Sequence, residues 1–204
     1  MDDFLRALAS GDPVPGGGSV AALEVAIGAA LLSMVSELTL GRKRYASVEE
    51  EVLGIRAQSD NMRSRARALV DADSVAYGRV AEAMRLPRDN DDEKEHRRRT
   101  IQAALKRAVE PPLSTMQAAQ EGMVLATRLA AIGNASAVSD VGTAAHAFLA
   151  GYLSAKLNVD INLASIRDEA FVQSIGQEPV LRYDIQSDWR KTGDMVREVI
   201  GAPS

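Results

Sequence analysis

Two long segments of this chain, residues 20–36 and 141–153, are apolar or small around almost their whole helical circumference. A helix that is apolar on every side is expected to be buried on every side. In a chain of 204 residues, the remaining segments are too few to surround two such helices. We therefore expect a homo-oligomer, most simply a two-fold dimer with helices packed across its interface.

The rest of the chain is also typical of helices. Aromatic residues make up only 4% of it, alanine is abundant, and no segment alternates polar and apolar residues as a strand does. The pattern predicts one all-α domain over 1–204, a bundle of long helices with two largely buried central ones. The expected helices cover about 3–9, 19–40, 48–86, 92–110, 113–131, 139–166, 168–175 and 180–200.

Small polar residues and glycines suggest where these helices begin and end. Ser19, Ser47 and either Ser139 or Asp140 precede apolar periodic segments, so their side chains are predicted to cap free backbone N–H groups. Gly41 is placed to end the first long helix, because glycine adopts the left-handed conformation readily.

The composition excludes several classes of function. A net charge of −4 gives no reason to expect a nucleic-acid partner, and with no cysteine and only two histidines a metal site is not expected. The N-terminus lacks the pattern of a signal peptide. The longest strongly apolar block, 20–32, contains Glu24 and is shorter than a membrane-spanning helix. We expect a soluble cytoplasmic protein without a membrane partner.

The stretch VPGGGSVAAL, residues 14–23, contains three consecutive glycines. In one interpretation Gly16, Gly17 and Gly18 form a flexible connection and Ser19 caps the helix. In the other, exposed amides at a buried helix start hold an anionic or carbonyl group. The stretch matches neither a dinucleotide-binding fingerprint nor a P-loop.

Two aspartates could supply acid–base chemistry. Asp71 and Asp73 are two residues apart on a predicted helix, so their side chains point about 200° apart. The apolar positions around them place at least one carboxylate near packed surface, where its pKa would be perturbed. The alternative is a solvated carboxylate beside one that is satisfied by structural hydrogen bonds.

Other polar groups could line a site or serve only the fold. Asn158 and Asn162 are four residues apart and project from one helix face, which fits either a ligand contact or interhelical hydrogen bonds. The segment 133–140, GNASAVSD, is a cap-rich turn. The basic segment 42–44 follows the glycine-ended helix and could meet an anionic ligand tail.

Seven motifs occur along the chain in a fixed order: PVPGGGSVAAL (13–23), GRKRY (41–45), DADSVAYGRVAEAMRLP (71–87), DDEKEHRR (91–98), AVEPPL (108–113), GNASAVSDVGTAA (133–145) and LNVDINLASIRDEAF (157–171). Together they resemble the cyclodeaminase family over about residues 2–175. That family comprises the C-terminal domain of formiminotransferase-cyclodeaminase and stand-alone bacterial methenyltetrahydrofolate cyclohydrolases.

The resemblance implies an all-α dimer with a folate site between subunits. It implies Asp73 as the catalytic acid/base, with Asp71 as the second candidate, and no metal or cofactor beyond the tetrahydrofolate substrate. Amides would bind the polar edge of the pterin, and basic side chains its glutamate tail. The residues implied to bind substrate are Gly16, Gly17, Gly18, Ser19, Arg42, Lys43, Arg44, Tyr45, Asn134, Ser139, Asp140, Asn158 and Asn162.

Two folate reactions and one role without catalysis fit the resemblance. The lack of an attached transferase domain favours hydrolysis of 5,10-methenyltetrahydrofolate to 10-formyltetrahydrofolate over cyclodeamination of 5-formiminotetrahydrofolate. A helical binding or scaffold dimer is the other class. Glu24 departs from the family pattern of a small residue, and we expect it either to reach the site or to pair across the subunit interface.

Overall fold

The computed structural model describes residues 2–201, and within them the chain forms α-helices and short 3-10 turns without a strand. The prediction of an all-α helical bundle is confirmed. The α-helices are α1 (Asp2–Leu8), α2 (Gly17–Thr39), α3 (Glu49–Met84), α4 (Asp91–Ala108), α5 (Glu110–Ile132), α6 (Val138–Ala164), α7 (Glu169–Gly176) and α8 (Ile185–Ile200).

Helix α2 lies at the centre of the bundle and packs against α3, α5 and α6. It runs antiparallel to α3, because Ser19 near its start contacts Asp73 and Ser33, further along, contacts Asp60. This pairing brings the glycine-rich start of α2 against the middle of α3.

Small residues let the central helices approach each other closely. The ring of Phe148 on α6 is fully buried, and it occupies the space where a Cβ on Gly28 of α2 or Gly122 of α5 would project. A Cβ on Gly151 would lie 2.7 Å from a methyl group of Val25. The glycines and alanines of the two apolar segments are therefore packing positions in the core of one chain.

The long helices end where the sequence predicts, within a few residues. Helix α3 is continuous over 36 residues, and Gly41 has a φ of +70°, as expected for a helix-ending glycine. Pro111 and Pro112 lie in the first turn of α5, although the sequence predicted that the helix begins after them. Proline fits this position because the N–H groups of a first turn have no acceptor within the helix, so the N–H that proline lacks is not needed.

The predicted caps are wrong. Helices α2, α3 and α6 have Gly16, Val48 and Ala137 at their N-cap positions, none with a side-chain cap. Ser19 lies inside α2, where its hydroxyl bonds to α3. The cap in the turn before α6 is Asn134, whose Oδ1 accepts from the N–H of Ser136 at 3.0 Å.

The central helices are not buried on every side within one chain. Three large side chains of α2 and three of α6 are exposed, with Leu157 at 70% and Ile161 at 68%. Helices α2 and α6 pack against each other, and Glu24 of α2 contacts Ser154 of α6. We call this surface the α2/α6 apolar face; it comprises Ile27, Met34, Leu38, Leu153, Leu157 and Ile161.

Helix α2 is more apolar than the block 20–32 suggested. By length and composition α2 meets the criteria for a membrane-spanning helix, with a mean hydropathy of 1.9 over its most apolar window. The expectation that the apolar segment is too short to span a membrane is therefore wrong. However, 61% of that window is buried inside the protein, and the core helix of a globular bundle meets the same criteria.

Candidate active site

A cavity of about 380 Å³ opens at the N-terminus of α2. The loop before α2 and the helices α2, α3, α4 and α6 all contribute to its wall. Its lining residues are Pro13, Val14, Gly16, Gly17, Gly18, Asp73, Ala76, Tyr77, Val80, Met84, Leu105, Ala108, Asn158, Ile161, Asn162 and Ser165.

Asp73 is the only charged side chain in this wall among the described residues. The hydroxyl of Ser19 donates to its Oδ2 at 2.9 Å. A Cβ on Gly18 would lie 2.1 Å from its Oδ1, so the carboxylate sits directly against the backbone of the first turn of α2. Gly18 is thus required by close approach, which is the chemical reason for a glycine at this position.

Burial raises the pKa of Asp73 above its ordinary value, and hydrogen bonds from the side chain and backbone of Ser19 oppose that rise. A carboxyl group with a raised pKa holds a proton closer to neutral pH than a solvated aspartate does. It can therefore act both as a base and, once protonated, as an acid.

Asn158 and Asn162 lie on one face of α6, as their spacing predicted, and both line the cavity together with Asp73. The Nδ2 of Asn158 donates to the carbonyl of Ser154, and the Nδ2 of Asn162 donates to that of Ala108, both at 2.9 Å. These bonds fix both side chains at the cavity wall and leave each Oδ1 as an acceptor for a ligand.

The remaining wall is largely apolar. Tyr77 and Met84 are about half exposed at one side, and Ile161 is 68% exposed at another. The cavity can hold a flat ligand with a polar edge and place one of its atoms beside Asp73. Among residues 2–201, no group of three His, Asp or Glu side chains is arranged to hold a metal ion.

Asp71 does not reach the cavity. Its side chain is exposed and forms an ion pair with Arg67 at 3.4 Å. The two aspartates do point in opposite directions, and Asp71 as the second catalytic candidate stays a prediction that this cavity does not support. Ser19 was predicted to bind substrate, but it is fully buried behind Asp73 and outside the cavity wall.

The other predicted binding residues lie at the far end of α2. With 23 residues, α2 separates its two ends by about 33 Å. At that end, the hydroxyl of Tyr45 accepts from the N–H of Ala135, and Asn134 bonds to Thr39 and Leu38. Within one chain, none of these residues lines the cavity: Arg42, Lys43, Arg44, Tyr45, Asn134, Ser139 and Asp140.

Glu24 also lies outside the cavity. One oxygen of its carboxylate is buried without a hydrogen-bond partner among the described residues. Burial raises its pKa, and a contact with Ser154 opposes that rise. Glu24 therefore does not reach the cavity of one chain, and its pairing across a subunit interface stays a prediction.

Sequence reasoning missed the aromatic wall. Tyr77 lies four residues after Asp73, and Val80 seven residues after it, so all three occupy one face of α3. That spacing was sufficient to identify Tyr77. Met84 and Ile161 carried no comparable signal, because apolar helix residues are usually assigned to the core.

Comparison with known proteins gives consistent matches. The family model for formiminotransferase-cyclodeaminase matches residues 1–179. The chain is 39% identical to methenyltetrahydrofolate cyclohydrolase of Methylorubrum extorquens over 173 residues, 85% of this chain and 83% of that protein. It is 34% identical to formimidoyltransferase-cyclodeaminase of Mus musculus over 168 residues, 82% of this chain but 31% of that protein. The crystal structure of formiminotetrahydrofolate cyclodeaminase from Thermotoga maritima superimposes with a TM-score of 0.86 at 27% identity, covering 98% of this chain and 96% of that one.

Proposed function

This chain belongs to the formiminotransferase-cyclodeaminase family, and from that membership we propose that it is a folate one-carbon enzyme. Its proposed reaction is the hydrolysis of 5,10-methenyltetrahydrofolate to 10-formyltetrahydrofolate. The observation that carries the proposal is Asp73, a partly buried carboxyl group with a raised pKa in a cavity whose other walls are apolar or neutral.

The first step of this reaction needs a base. The carbon that bridges N5 and N10 is electrophilic, because it is the central carbon of an amidinium cation. Water beside Asp73 attacks this carbon while the carboxylate takes the proton of the water. The result is a tetrahedral carbon bearing a hydroxyl group, with the proton now on Asp73.

The second step needs an acid at the same place. The bond from the bridge carbon to N5 breaks and N5 takes the proton from Asp73, while the hydroxyl group loses its proton to water and becomes the C=O of a formyl group on N10. Asp73 is then ionised again, so one carboxyl group serves both steps. The steps need only water, a base and an acid, and we propose no cofactor beyond the tetrahydrofolate substrate.

The cavity wall supports binding of the pterin ring. Asn158 and Asn162 each present an amide oxygen that can accept from the N–H groups of the ring edge. Tyr77 and Met84 offer apolar surface to the ring face. The N–H groups of Gly17 and Gly18 in the first turn of α2 have no partner within the helix and add donors there.

We also propose a dimer, with a site completed by the second subunit. The α2/α6 apolar face consists of large exposed side chains that a second copy would cover. Because both ends of α2 carry predicted binding residues about 33 Å apart, an antiparallel pairing of two α2 helices would bring one subunit's 42–45 segment toward the other's cavity. The basic side chains there could then hold the glutamate tail.

A second reaction is favoured by a specific observation. The superimposed structure is that of a cyclodeaminase that spans nearly the same length as this chain. In that reaction N10 attacks the formimino carbon on N5 and ammonia leaves, and Asp73 could again transfer the protons. We place this reaction second, because the cyclohydrolase relative is more similar in sequence.

The two reactions are distinguished by offering each substrate to the purified protein. Loss of the near-ultraviolet absorbance of 5,10-methenyltetrahydrofolate, faster than in buffer and without ammonia, identifies the cyclohydrolase. Formation of that absorbance from 5-formiminotetrahydrofolate, with one ammonia per turnover, identifies the cyclodeaminase. If neither substrate is consumed, the chain is a helical binding or scaffold protein.

We further propose a cytoplasmic location, supported by the burial of most of α2 in the bundle.

A further inference from the structure

Ser19 is fully buried and does not line the cavity, yet its hydroxyl contacts three polar groups at once. The Oδ2 of Asp73 lies 2.9 Å from it, the carbonyl oxygen of Val70 lies 3.1 Å away, and the hydroxyl of Ser74 lies 3.1 Å away. The side chain therefore stands between the proposed catalytic carboxyl group and the backbone of α3.

A hydroxyl group has one proton to donate and can accept two hydrogen bonds. Ser74 can donate to Ser19, which leaves the Asp73 carboxylate and the Val70 carbonyl as the two possible acceptors for the single proton of Ser19. The ionised carboxylate is the stronger acceptor, since charge-assisted hydrogen bonds are roughly twice as strong as neutral ones. Once Asp73 is protonated, its own O–H can donate to Ser19, and the Ser19 proton is free to turn to Val70.

We propose that Ser19 is a positioning residue that keeps Asp73 hydrogen-bonded in both its ionised and its protonated state by turning its own O–H between the carboxylate and the carbonyl of Val70. This inference rests on the proposed function, in which Asp73 takes a proton in one step and returns it in the next. Ser19 lets the carboxyl group do so without changing its position.

Few other groups can influence Asp73. Tyr77 is the only other titratable side chain that lines the cavity within residues 2–201. On α3 itself, Asp71 faces solvent with Arg67. The walls formed by α2, α4 and α6 contribute glycines, apolar residues, serine and asparagines, and none of these is charged. A change in the titration of Asp73 after a change at Ser19 is therefore attributable to Ser19.

The chain offers a matched control for this test. The hydroxyl of Ser33 donates to Asp60 at 3.0 Å, so it forms the same kind of pair between the same two helices. It lies fourteen residues further along α2, about 21 Å from Ser19, and it is also buried. Ser33→Ala removes an equivalent hydrogen bond from α2 and α3 without touching the cavity.

The experiment compares wild type, Ser19→Ala and Ser33→Ala by two readouts. The ¹³C-carboxyl resonance of Asp73, identified by its loss in Asp73→Asn, gives the titration midpoint without any need for activity. We expect Ser19→Ala to move that midpoint up by about one pH unit, because the ionised form loses a charge-assisted bond. The acidic limb of kcat/KM should move with it, and kcat should fall about ten-fold with KM nearly unchanged. Ser33→Ala should alter neither.

The two readouts separate this inference from the proposed function. An unchanged Asp73 midpoint in Ser19→Ala overturns the positioning role, whatever the activity. An Asp73 midpoint that moves in Ser19→Ala but not in Ser33→Ala supports the role. If that happens while neither folate substrate is consumed by the wild type, the role stands and the proposed function fails. Equal changes in Ser19→Ala and Ser33→Ala would reduce Ser19 to a general structural contact and overturn the inference.

Discussion

At Gly18 the backbone of α2 and the carboxylate of Asp73 occupy adjoining space, so the identity of a single residue decides whether the site can form. The Oδ1 of Asp73 stands 2.1 Å from the position of a Cβ on Gly18. At Gly17 the nearest atom to such a Cβ is the Nδ2 of Asn158, at an ordinary contact distance of 3.5 Å. Two neighbouring glycines of one motif thus have different reasons to be glycine.

Gly18→Ala should displace Asp73 and lower kcat/KM at least 100-fold, the usual contribution of one general acid–base group. Gly17→Ala is the matched control, and we expect it to retain activity within about five-fold, because its added methyl group meets no clash. Steady-state kinetics on the preferred folate substrate checks both variants. Equal losses in the two would show that the loop, and not the carboxylate contact, is the sensitive feature.

Glu24 gives a prediction about stability and pH. Burial raises the pKa of its carboxyl group above the ordinary value of 4.5 in the folded chain. The stability that this group contributes is therefore complete below pH 4.5 and is lost as the pH rises through the folded-state pKa. Glu24→Gln, which stays neutral, should raise Tm by about 2 °C at pH 8 and change it little at pH 4.

Thermal unfolding at both pH values tests this, with Glu37→Gln as the control. Glu37 lies on the same helix but is exposed and paired with Arg56, so its replacement should alter Tm by less than about 1 °C. A lower Tm of Glu24→Gln at pH 8 would contradict the prediction. It would show that a cation reaches Glu24 in the assembled protein.

The helices themselves follow from the sequence, and their tertiary contacts do not. The continuous α3 and the end of α2 at Gly41 follow from the absence of proline and from the conformational freedom of glycine. The N-cap predictions were wrong because the sequence does not show which distant group competes with the helix N-terminus for the hydroxyl of a serine. The competitor of Ser19 is Asp73, 54 residues away, and only the register of α2 on α3 brings the two together.

The same distinction applies to the candidate site. Residues that share a helix face could be grouped from their spacing, which is why Asn158 and Asn162 lie together and why Asp71 and Asp73 do not. The grouping of Asp73 with the glycine loop came from the family resemblance. The separation of that loop from the segment 42–45 does follow from the sequence, because the two flank opposite ends of one predicted helix, but motif order alone suggested a shared site.

Packing between helices supplies a further prediction. A Cβ on Gly122 would lie 2.4 Å from the ring of Phe148, which Gly28 confines from the other side. Since the ring has nowhere to move, Gly122→Ala should cost about 1–3 kcal/mol of unfolding free energy. Gly54→Ala, on α3 with open space around it, should instead gain about 0.5–1 kcal/mol. Chemical denaturation measures both, and a stable Gly122→Ala would contradict this account of the core.

At the scale of the whole molecule, the α2/α6 apolar face is exposed and has no partner within one chain. Ile27 belongs to this face and is 45% exposed in one chain. A large exposed apolar surface is unfavourable in water unless a partner covers it. A second copy of the chain would account both for this face and for the predicted binding residues at the far end of α2.

Light scattering should therefore give a mass close to twice the 21.8 kDa of one chain. Ile27→Glu should dissociate the dimer and lower activity at least ten-fold, although it leaves the cavity of each chain intact. Leu53→Glu, a similarly exposed position on α3, should do neither. A wild type of single-chain mass, or an active monomeric Ile27→Glu, would contradict the proposed interface and the shared site.

The proposal that Asp73 is the acid–base group is tested most directly by measuring the rate of 5,10-methenyltetrahydrofolate hydrolysis by two variants, Asp73→Asn and Asp71→Asn. The first substitution keeps the shape of the side chain in the cavity and removes its acid–base function, whereas the second changes an exposed carboxylate two residues away. We predict a loss of at least 100-fold in kcat for Asp73→Asn and a change of less than two-fold for Asp71→Asn. Near wild-type hydrolysis by a folded Asp73→Asn would contradict the account, because the chemistry would then belong to a different group.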